Sequence, residues 1–351
     1  MAPDAPGRVS FFSATVPGLG PLLRDEVAAH PALHPDHEAG FDGRADIVFF
    51  RVRRGARFRP EELRLAEDVF VTISGATGGP VGRVAASLVP AADLERALSV
   101  RAAYVRHLSR SMTFRVITRV VDEGRFKRTE LRSAVEQTIG ASRSRWRIAD
   151  PADLEVWVVE HRRARFASGL RLSDQRLRQH GEGRAGERHG AVRPVVAAAL
   201  VRLAGGPGRL LDPCCGSGTI VSEAITAGWD ACGSDIDPEA VDLARANAAG
   251  ADIQRADALN LPHADGAFDA VVTNLPFGRQ FRPAVDQPGW TRGALREAAR
   301  VTRPGGRVIV LAPPPVPDPA PGLVLAGSYP LRLLGVPARI WAFDRNASRP
   351  S

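Results

Sequence analysis

Asn274-Leu275-Pro276-Phe277, read together with Asp212-Pro213-Cys214-Cys215-Gly216-Ser217-Gly218-Thr219, decides how the C-terminal half folds. The earlier stretch follows a short apolar run, Arg209-Leu210-Leu211, and leads into residues 220–227, whose apolar positions have helical spacing. The later stretch ends the run Phe268-Asp269-Ala270-Val271-Val272-Thr273. Between them the pattern repeats. Residues 230–234 read as a strand ending at Asp235, 238–248 as a helix, and 253–256 as a strand ending at Asp257. A helix over 295–301 and a strand over 306–311 follow. Strands alternating with helices predict a parallel, doubly wound α/β sheet. Asp212, Asp235, Asp257 and Asn274 then all lie at strand carboxyl ends, the edge where such sheets bind ligands. After a Pro-rich stretch, 322–329 and 339–343 read as two late strands with no helix between them, hence an antiparallel pair.

The residue types at that edge suit a nucleoside cofactor. Gly216-Ser217-Gly218 lets the backbone approach a ligand closely, and Thr219 can open the next helix. The full G-x-G-x-x-G pattern is absent, and so is the lysine of a phosphate-binding loop, which argues against ATP hydrolysis. Asp235 suits two ribose hydroxyls, and Asp257, followed by Ala258, suits the amine edge of adenine. The bland alternative is that these acids only cap helices. Asn274 to Phe277 suits a flat amine: the Asn274 side-chain oxygen and the Leu275 carbonyl can accept from its N–H groups. Pro276 biases Leu275 towards an extended backbone that aims the carbonyl, and Phe277 can stack on a base. The alternative is an ordinary strand-ending turn.

The chain has 351 residues, enough for two or three domains, and a net charge of +8. That charge is uneven: +5 over residues 1–170, +2 over 171–190 and +1 over 191–351. The basic N-terminal half favours a polyanionic partner. Since every basic residue but Lys127 is arginine, base composition of the gene explains the charge equally well. No apolar run approaches the roughly 20 residues that span a membrane, and residues 1–10 lack a signal-peptide pattern, so a cytoplasmic, soluble protein is expected. Cys214, Cys215 and Cys232 show neither C-x-x-C nor histidines at zinc spacing, which predicts packing residues and no metal.

The N-terminal half reads as mixed α+β. Strands are expected at 8–16, 47–50, 69–73, 113–118, 154–159 and 164–170, and helices from Pro21, over 91–108 and over 129–139. Residues 31–43 and 75–82 read as loops. Arg51, Arg53, Arg54, Arg57 and Arg59 form a cluster suited either to solvent or to phosphate. Residues 171–192 are polar and rich in Gly and Arg (Arg176, Arg178, His180, Arg184, Arg188, His189), a candidate basic linker before a helix over 194–204.

The loop Asp212 to Thr219 resembles the S-adenosylmethionine loop of class I methyltransferases. Asn274-Leu275-Pro276-Phe277, followed by Gly278, is similar to the N/D-P-P-F/Y/W motif of enzymes that methylate exocyclic amines. The pair resembles THUMP-containing guanine-2-amino RNA methyltransferases of the tRNA position-6 type. Weaker N-terminal features agree: Val16-Pro17-Gly18-Leu19-Gly20, Phe114-Arg115-Val116 before the helix at Thr129, and the turn Asp150-Pro151-Ala152-Asp153. The resemblance implies a Rossmann-like sheet of seven strands, the last antiparallel, over residues 193–346. It implies a ferredoxin-like plus THUMP RNA-binding region over 1–170, gripping the tRNA acceptor end. S-adenosylmethionine would be held by Asp212, Cys214, Gly216, Ser217, Gly218, Thr219, Asp235, Ile236, Asp257, Ala258 and Asn274. Catalysis would fall to Asn274, Leu275, Pro276 and Phe277, in a chain expected to be monomeric. Leu275 departs from the Pro-Pro form of the motif, which weakens a DNA adenine reading. The alternatives are ribosomal RNA guanine or DNA adenine methylation, a cofactor-binding RNA scaffold without turnover and, more distantly, a nicotinamide dehydrogenase.

Overall fold

The computed structural model describes residues 9–41, 44–105, 112–121, 126–174, 177–178, 180, 185–186, 190–276, 287–315, 318–333 and 336–346. The chain divides into two compact units, residues 1–178 and 179–351.

The first unit is built on an eight-stranded sheet. Its elements are β1 (Ser10–Ala14), α1 (Gly20–Ala29), β2 (Leu33–Phe41), β3 (Arg44–Val52), β4 (Asp68–Thr77), α2 (Val81–Leu88), α3 (Ala91–Arg101), β5 (Thr113–Arg119), α4 (Arg128–Ser142), β6 (Arg147–Ile148), β7 (Leu154–Arg162) and β8 (Arg165–Arg171). The strand order is β2-β3-β1-β4-β8-β7-β5-β6. Only β5 pairs in parallel, with β6 and β7. Strand β1 lies between β3 and β4, and its successive side chains point to opposite faces. Phe11 stacks on Phe50 at 5.7 Å, and Phe12 stacks on Phe70 at 4.7 Å. Pairing of β4 with β8 from Phe70↔Arg171 to Thr77↔Arg165 makes one continuous sheet of the whole unit. Beside that seam, buried Asp68 takes Arg171 at 2.7 Å and Arg178 at 2.6 Å.

Parts of two expected loops are regular structure. Residues 33–41 form β2, despite Pro35, His37 and Glu38, because β2 is an edge strand and Pro35 stands at a register shift. Of the loop expected over 75–82, residues 75–77 end β4 and 81–82 open α2, which follows Pro80 and buries Val84, Ala85 and Leu88. The Arg51–Arg59 cluster is largely absorbed by the fold. Arg51 pairs with Asp36, Arg53 donates to the Leu33 carbonyl and Arg59 pairs with Glu62.

The second unit comprises α5 (Pro194–Ala204), β9 (Arg209–Asp212), α6 (Thr219–Thr226), β10 (Asp230–Asp235), α7 (Pro238–Asn247), β11 (Asp252–Arg255), β12 (Phe268–Asn274), α8 (Gln287–Val301), β13 (Thr302–Ala312), β14 (Leu323–Leu333) and β15 (Val336–Arg345). The sheet order is β11-β10-β9-β12-β13-β15-β14. Strands β9 to β13 are mutually parallel, and β15 runs antiparallel to both β13 and β14. This is the seven-stranded arrangement with an antiparallel last strand that the sequence led us to expect. The chain reverses its direction of strand addition between β9 and β12, which opens a crevice at their carboxyl ends. Leu211, Phe268, Val271, Val308, Val310, Trp341 and Phe343 pack in one core cluster. Pro194 opens α5, where its missing N–H costs little. Helix α8 is longer than the expected 295–301. Its Pro288 lies in the first turn, and Gly293 sits where a Cβ would come 2.8 Å from Leu259, so both apparent breakers have a place.

Candidate active site

Asp212 ends β9 and is 1% exposed. Its Oδ1 accepts the Cys214 N–H at 3.2 Å. Burial pushes its pKa up to about 7; the Cys214 N–H and the Thr273 hydroxyl pull the other way, and the Asp235 charge adds to the rise. Asp235 ends β10, and both of its oxygens are engaged. Oδ2 accepts the Gly216 N–H at 3.0 Å, and Oδ1 accepts the Asp237 N–H at 3.0 Å. A carboxylate offers about four acceptor positions, so capacity remains for ribose hydroxyls. Asp235 therefore shapes the glycine loop as well as facing the crevice. Asp237 caps α7 by accepting the Glu239 N–H.

The loop between β9 and α6 is a tight cradle. Cys215 N–H donates to the Ser234 carbonyl at 2.9 Å, and Gly218 N–H donates to the Cys215 carbonyl at 2.7 Å. Gly216 has φ +51 and Gly218 has φ +78, a region that favours glycine. A Cβ at Gly216 would meet nothing within 4 Å, so the loop offers open space there. At Gly218 a Cβ would come 3.1 Å from Ala244 Cα, so glycine is what lets α6 start against α7. Thr219 is the first residue of α6. Ser217 is 3% exposed, and its Oγ has no hydrogen-bond partner among the described residues.

Ile236, next to Asp235 just past the end of β10, is a large apolar side chain that is 60% exposed. Strand β11 ends at Arg255, so Asp257 stands two residues beyond the strand rather than at its tip. It is exposed, its Oδ1 accepts the Leu259 N–H at 2.9 Å, and it forms a β-bridge with Asn260. Ala258 is buried behind it. Cys214 packs against the core cluster, and Cys215 and Cys232 are buried. All three are free thiols, and burial raises the pKa of each. No metal-ligating group of three or more side chains occurs among the described residues.

Asn274 is the last residue of β12, opposite Leu311 of β13. Its Oδ1 is buried and has no partner among the described residues, an expensive arrangement unless a ligand supplies a donor. Leu275 explains why this motif lacks its first proline. Its side chain is 4% exposed and belongs to the core cluster, and its N–H donates to the Leu311 carbonyl at 3.1 Å. Proline has no N–H to give. Pro276 follows at the end of the described segment; Phe277 and Gly278 lie outside the described residues.

Residues 182–314 match the RMKL-like methyltransferase domain. A tRNA (guanine(6)-N2)-methyltransferase of Thermus thermophilus is 31% identical over 323 residues, covering 85% of this chain and 88% of the relative. The chain belongs to that methyltransferase family. The crystal structure of TrmN from Thermus thermophilus superimposes with a TM-score of 0.73 at 25% identity, covering 96% of this chain and 99% of the other. A demethylmenaquinone methyltransferase of the same organism is 41% identical over 124 residues, 34% of this chain. The chain spans about half the length of that relative and of its Deinococcus radiodurans counterpart.

Family membership makes this chain a methyltransferase and S-adenosylmethionine its cofactor. The residues present fit that cofactor. The loop is open at Gly216, Ser217 Oγ is unsatisfied among the described residues, Asp235 has spare acceptor positions and Ile236 presents an exposed apolar side chain. Asn247, His180 and Glu223 also lie in this region; the sequence marks His180 only as part of a basic linker and does not mark the other two. Their contacts come from side chains of α6 and α7 and from the segment before α5.

Proposed function

We propose that this protein transfers a methyl group from S-adenosylmethionine to the exocyclic 2-amino group of a guanosine in tRNA. The observation that carries the reading is the buried Oδ1 of Asn274, unpaired among the described residues, at the strand end next to the cofactor loop. The cofactor supplies an electrophilic sulfonium methyl. The guanine 2-amino group is planar because its lone pair is drawn into the ring, and attack needs that pair freed. Asn274 Oδ1 and the Leu275 carbonyl, accepting its two N–H groups, favour tetrahedral geometry as positive charge develops on nitrogen. Pro276 holds Leu275 extended, and Phe277 stacks on the base. No strong base is required before transfer, since the proton can leave afterwards. Alignment of the reacting atoms supplies the rest of the acceleration.

In this reading Asp212, Cys214, Gly216, Ser217, Gly218 and Thr219 wrap the cofactor. Asp235 takes the ribose, Ile236 the adenine face, and Asp257 with Ala258 the adenine amine edge. Residues 193–346 are the catalytic domain, 171–192 a basic linker, and 1–170 a ferredoxin-like plus THUMP region that grips the tRNA acceptor end. Exposed Arg54, Arg57, Arg145, Arg147, Arg162 and Arg165, which have no carboxylate partner among the described residues, support phosphate contacts from that region. The target base must leave its stack to reach Asn274. The protein acts in the cytoplasm as a monomer. The deciding experiment is nucleoside mass spectrometry of total tRNA with and without the gene, followed by mapping of the modified position. Unchanged N2-methylguanosine after deletion would refute the proposal.

A further inference from the structure

Three hydrogen bonds converge on the side chain of Asn247, the last residue of α7. Its Nδ2 donates to the Ser217 carbonyl at 2.9 Å and to the Gly186 carbonyl at 3.0 Å. Its Oδ1 accepts the Ala185 N–H at 2.8 Å. A flipped amide would set its oxygen against two carbonyls and its NH2 against an N–H, so the partners fix the orientation. The same corner is packed to contact. The Ser222 hydroxyl is shared between the Gly218 carbonyl at 2.9 Å and the Asn247 carbonyl at 3.2 Å. A Cβ on Gly186 would come 3.2 Å from Leu243. Six residues earlier, His180 Nδ1 lies 2.8 Å from Glu223 Oε1, with both side chains buried. His180 is thus docked on α6, and Ala185 and Gly186 on α7.

We infer that Asn247 is a positioning residue for the S-adenosylmethionine loop, and that Ala185–Gly186 is a structural part of the cofactor site. The inference rests on residues 212–219 being the cofactor loop. By holding the Ser217 carbonyl, Asn247 fixes the Ser217–Gly218 peptide plane in the middle of the cradle. By holding Ala185 and Gly186 with the same amide, it makes the loop's geometry depend on how the segment before α5 is seated. Neither contact reaches the methyl-accepting side at Asn274, so the effect belongs to cofactor affinity and not to the transfer step.

The test uses the full-length protein, S-adenosylmethionine and a tRNA transcript. Asn247→Leu keeps the volume and removes all three bonds. Asn247→Asp keeps the shape and the acceptor but turns the donor atom into a second acceptor facing two carbonyls. Expected for Asn247→Leu is a cofactor Kd about tenfold weaker, from losing bonds that hold the loop. Its kcat at saturating cofactor stays within about twofold, and the KM for tRNA is unchanged. Asn247→Asp binds more weakly still and recovers, relative to wild type, as pH falls from 8 to 5.5 and the carboxyl gains a proton to donate. A purely structural role would lower Tm without this pH signature. Should Asn247→Leu fail to fold, Ser222→Ala perturbs the same corner more gently, with a Kd weaker by about threefold. Wild-type Kd in Asn247→Leu, or a pH-independent ratio for Asn247→Asp, would overturn the inference. Asp235→Ala separates the two levels. Loss of binding there with wild-type affinity in Asn247→Leu defeats only the positioning role. Wild-type affinity in Asp235→Ala defeats the cofactor-loop reading itself.

Discussion

Restoring the missing proline should damage this protein. Leu275→Pro would recreate a Pro-Pro motif, yet in this chain the Leu275 N–H donates to the Leu311 carbonyl at 3.1 Å and the side chain lies in the core. Leu311 is 1% exposed, so losing the donor strands a buried acceptor at a cost of about 1–3 kcal/mol. The smaller side chain gives up about one buried carbon, roughly 1 kcal/mol. The sum, about 2–4 kcal/mol, corresponds to a fall in the melting temperature of the catalytic unit of roughly 4–16 °C. Differential scanning calorimetry measures this directly. Turnover should fall with it, because Asn274 and the Leu275 carbonyl hang on the same strand end. Leu275→Ala is the control. It leaves a cavity costing about 2–5 kcal/mol but keeps the N–H and the carbonyl. It should therefore melt low yet turn over near wild type when assayed in the cold. A Leu275→Pro protein with wild-type melting and turnover would refute the claim that the Leu311 hydrogen bond holds the motif.

Other outcomes follow from individual side chains. Asn274→Ala should lower kcat by about 10²–10³ while leaving cofactor Kd unchanged, measured by methyl incorporation and calorimetry; persistent turnover would remove Asn274 from the mechanism. Asp212 is half protonated near pH 7, and a cationic cofactor favours its carboxylate. Cofactor affinity should therefore weaken as pH drops below about 7, by up to tenfold per unit, and be pH-independent in Asp212→Asn; equal wild-type affinity at pH 6 and 8 would count against this. His161 of β7 is held neutral by burial, with nearby His37, Arg162 and Arg165 adding to the effect, and its pKa is about 4. The unfolded chain binds that proton first, so the first unit loses stability as pH falls from about 6.5 to about 4, by roughly 3 kcal/mol. His161→Phe should flatten that slope in denaturation measured across the range.

The catalytic sheet was legible because its strands are short apolar runs and its site residues stand where those runs stop. Asp212, Asp235 and Asn274 could be placed from spacing alone. Asp257 was two residues off, since the bridge with Asn260 carries it past the end of β11. Elements whose composition argues against them were not legible. Edge strand β2 accommodates Pro35 at a register shift, and α2 follows Gly78-Gly79-Pro80. Helix α8 passes through Gly293, where a Cβ would come 2.8 Å from the tip of the Leu259 side chain. The reason for Leu275 was hidden as well: the carbonyl argument can be made from sequence, but the N–H donated across to Leu311 cannot. Asn247 is the extreme case, because its three partners lie 30 to 62 positions away.

The most direct test of the central claim is the identity of the methylated nucleoside. Purified protein is incubated with S-adenosylmethionine carrying a labelled methyl group and with unmodified tRNA transcripts, and the digest is resolved by mass spectrometry. The label should appear in N2-methylguanosine at one mapped position and be absent with Asn274→Ala. Label in N6-methyladenosine, or its absence from RNA alongside intact cofactor binding, would contradict the account.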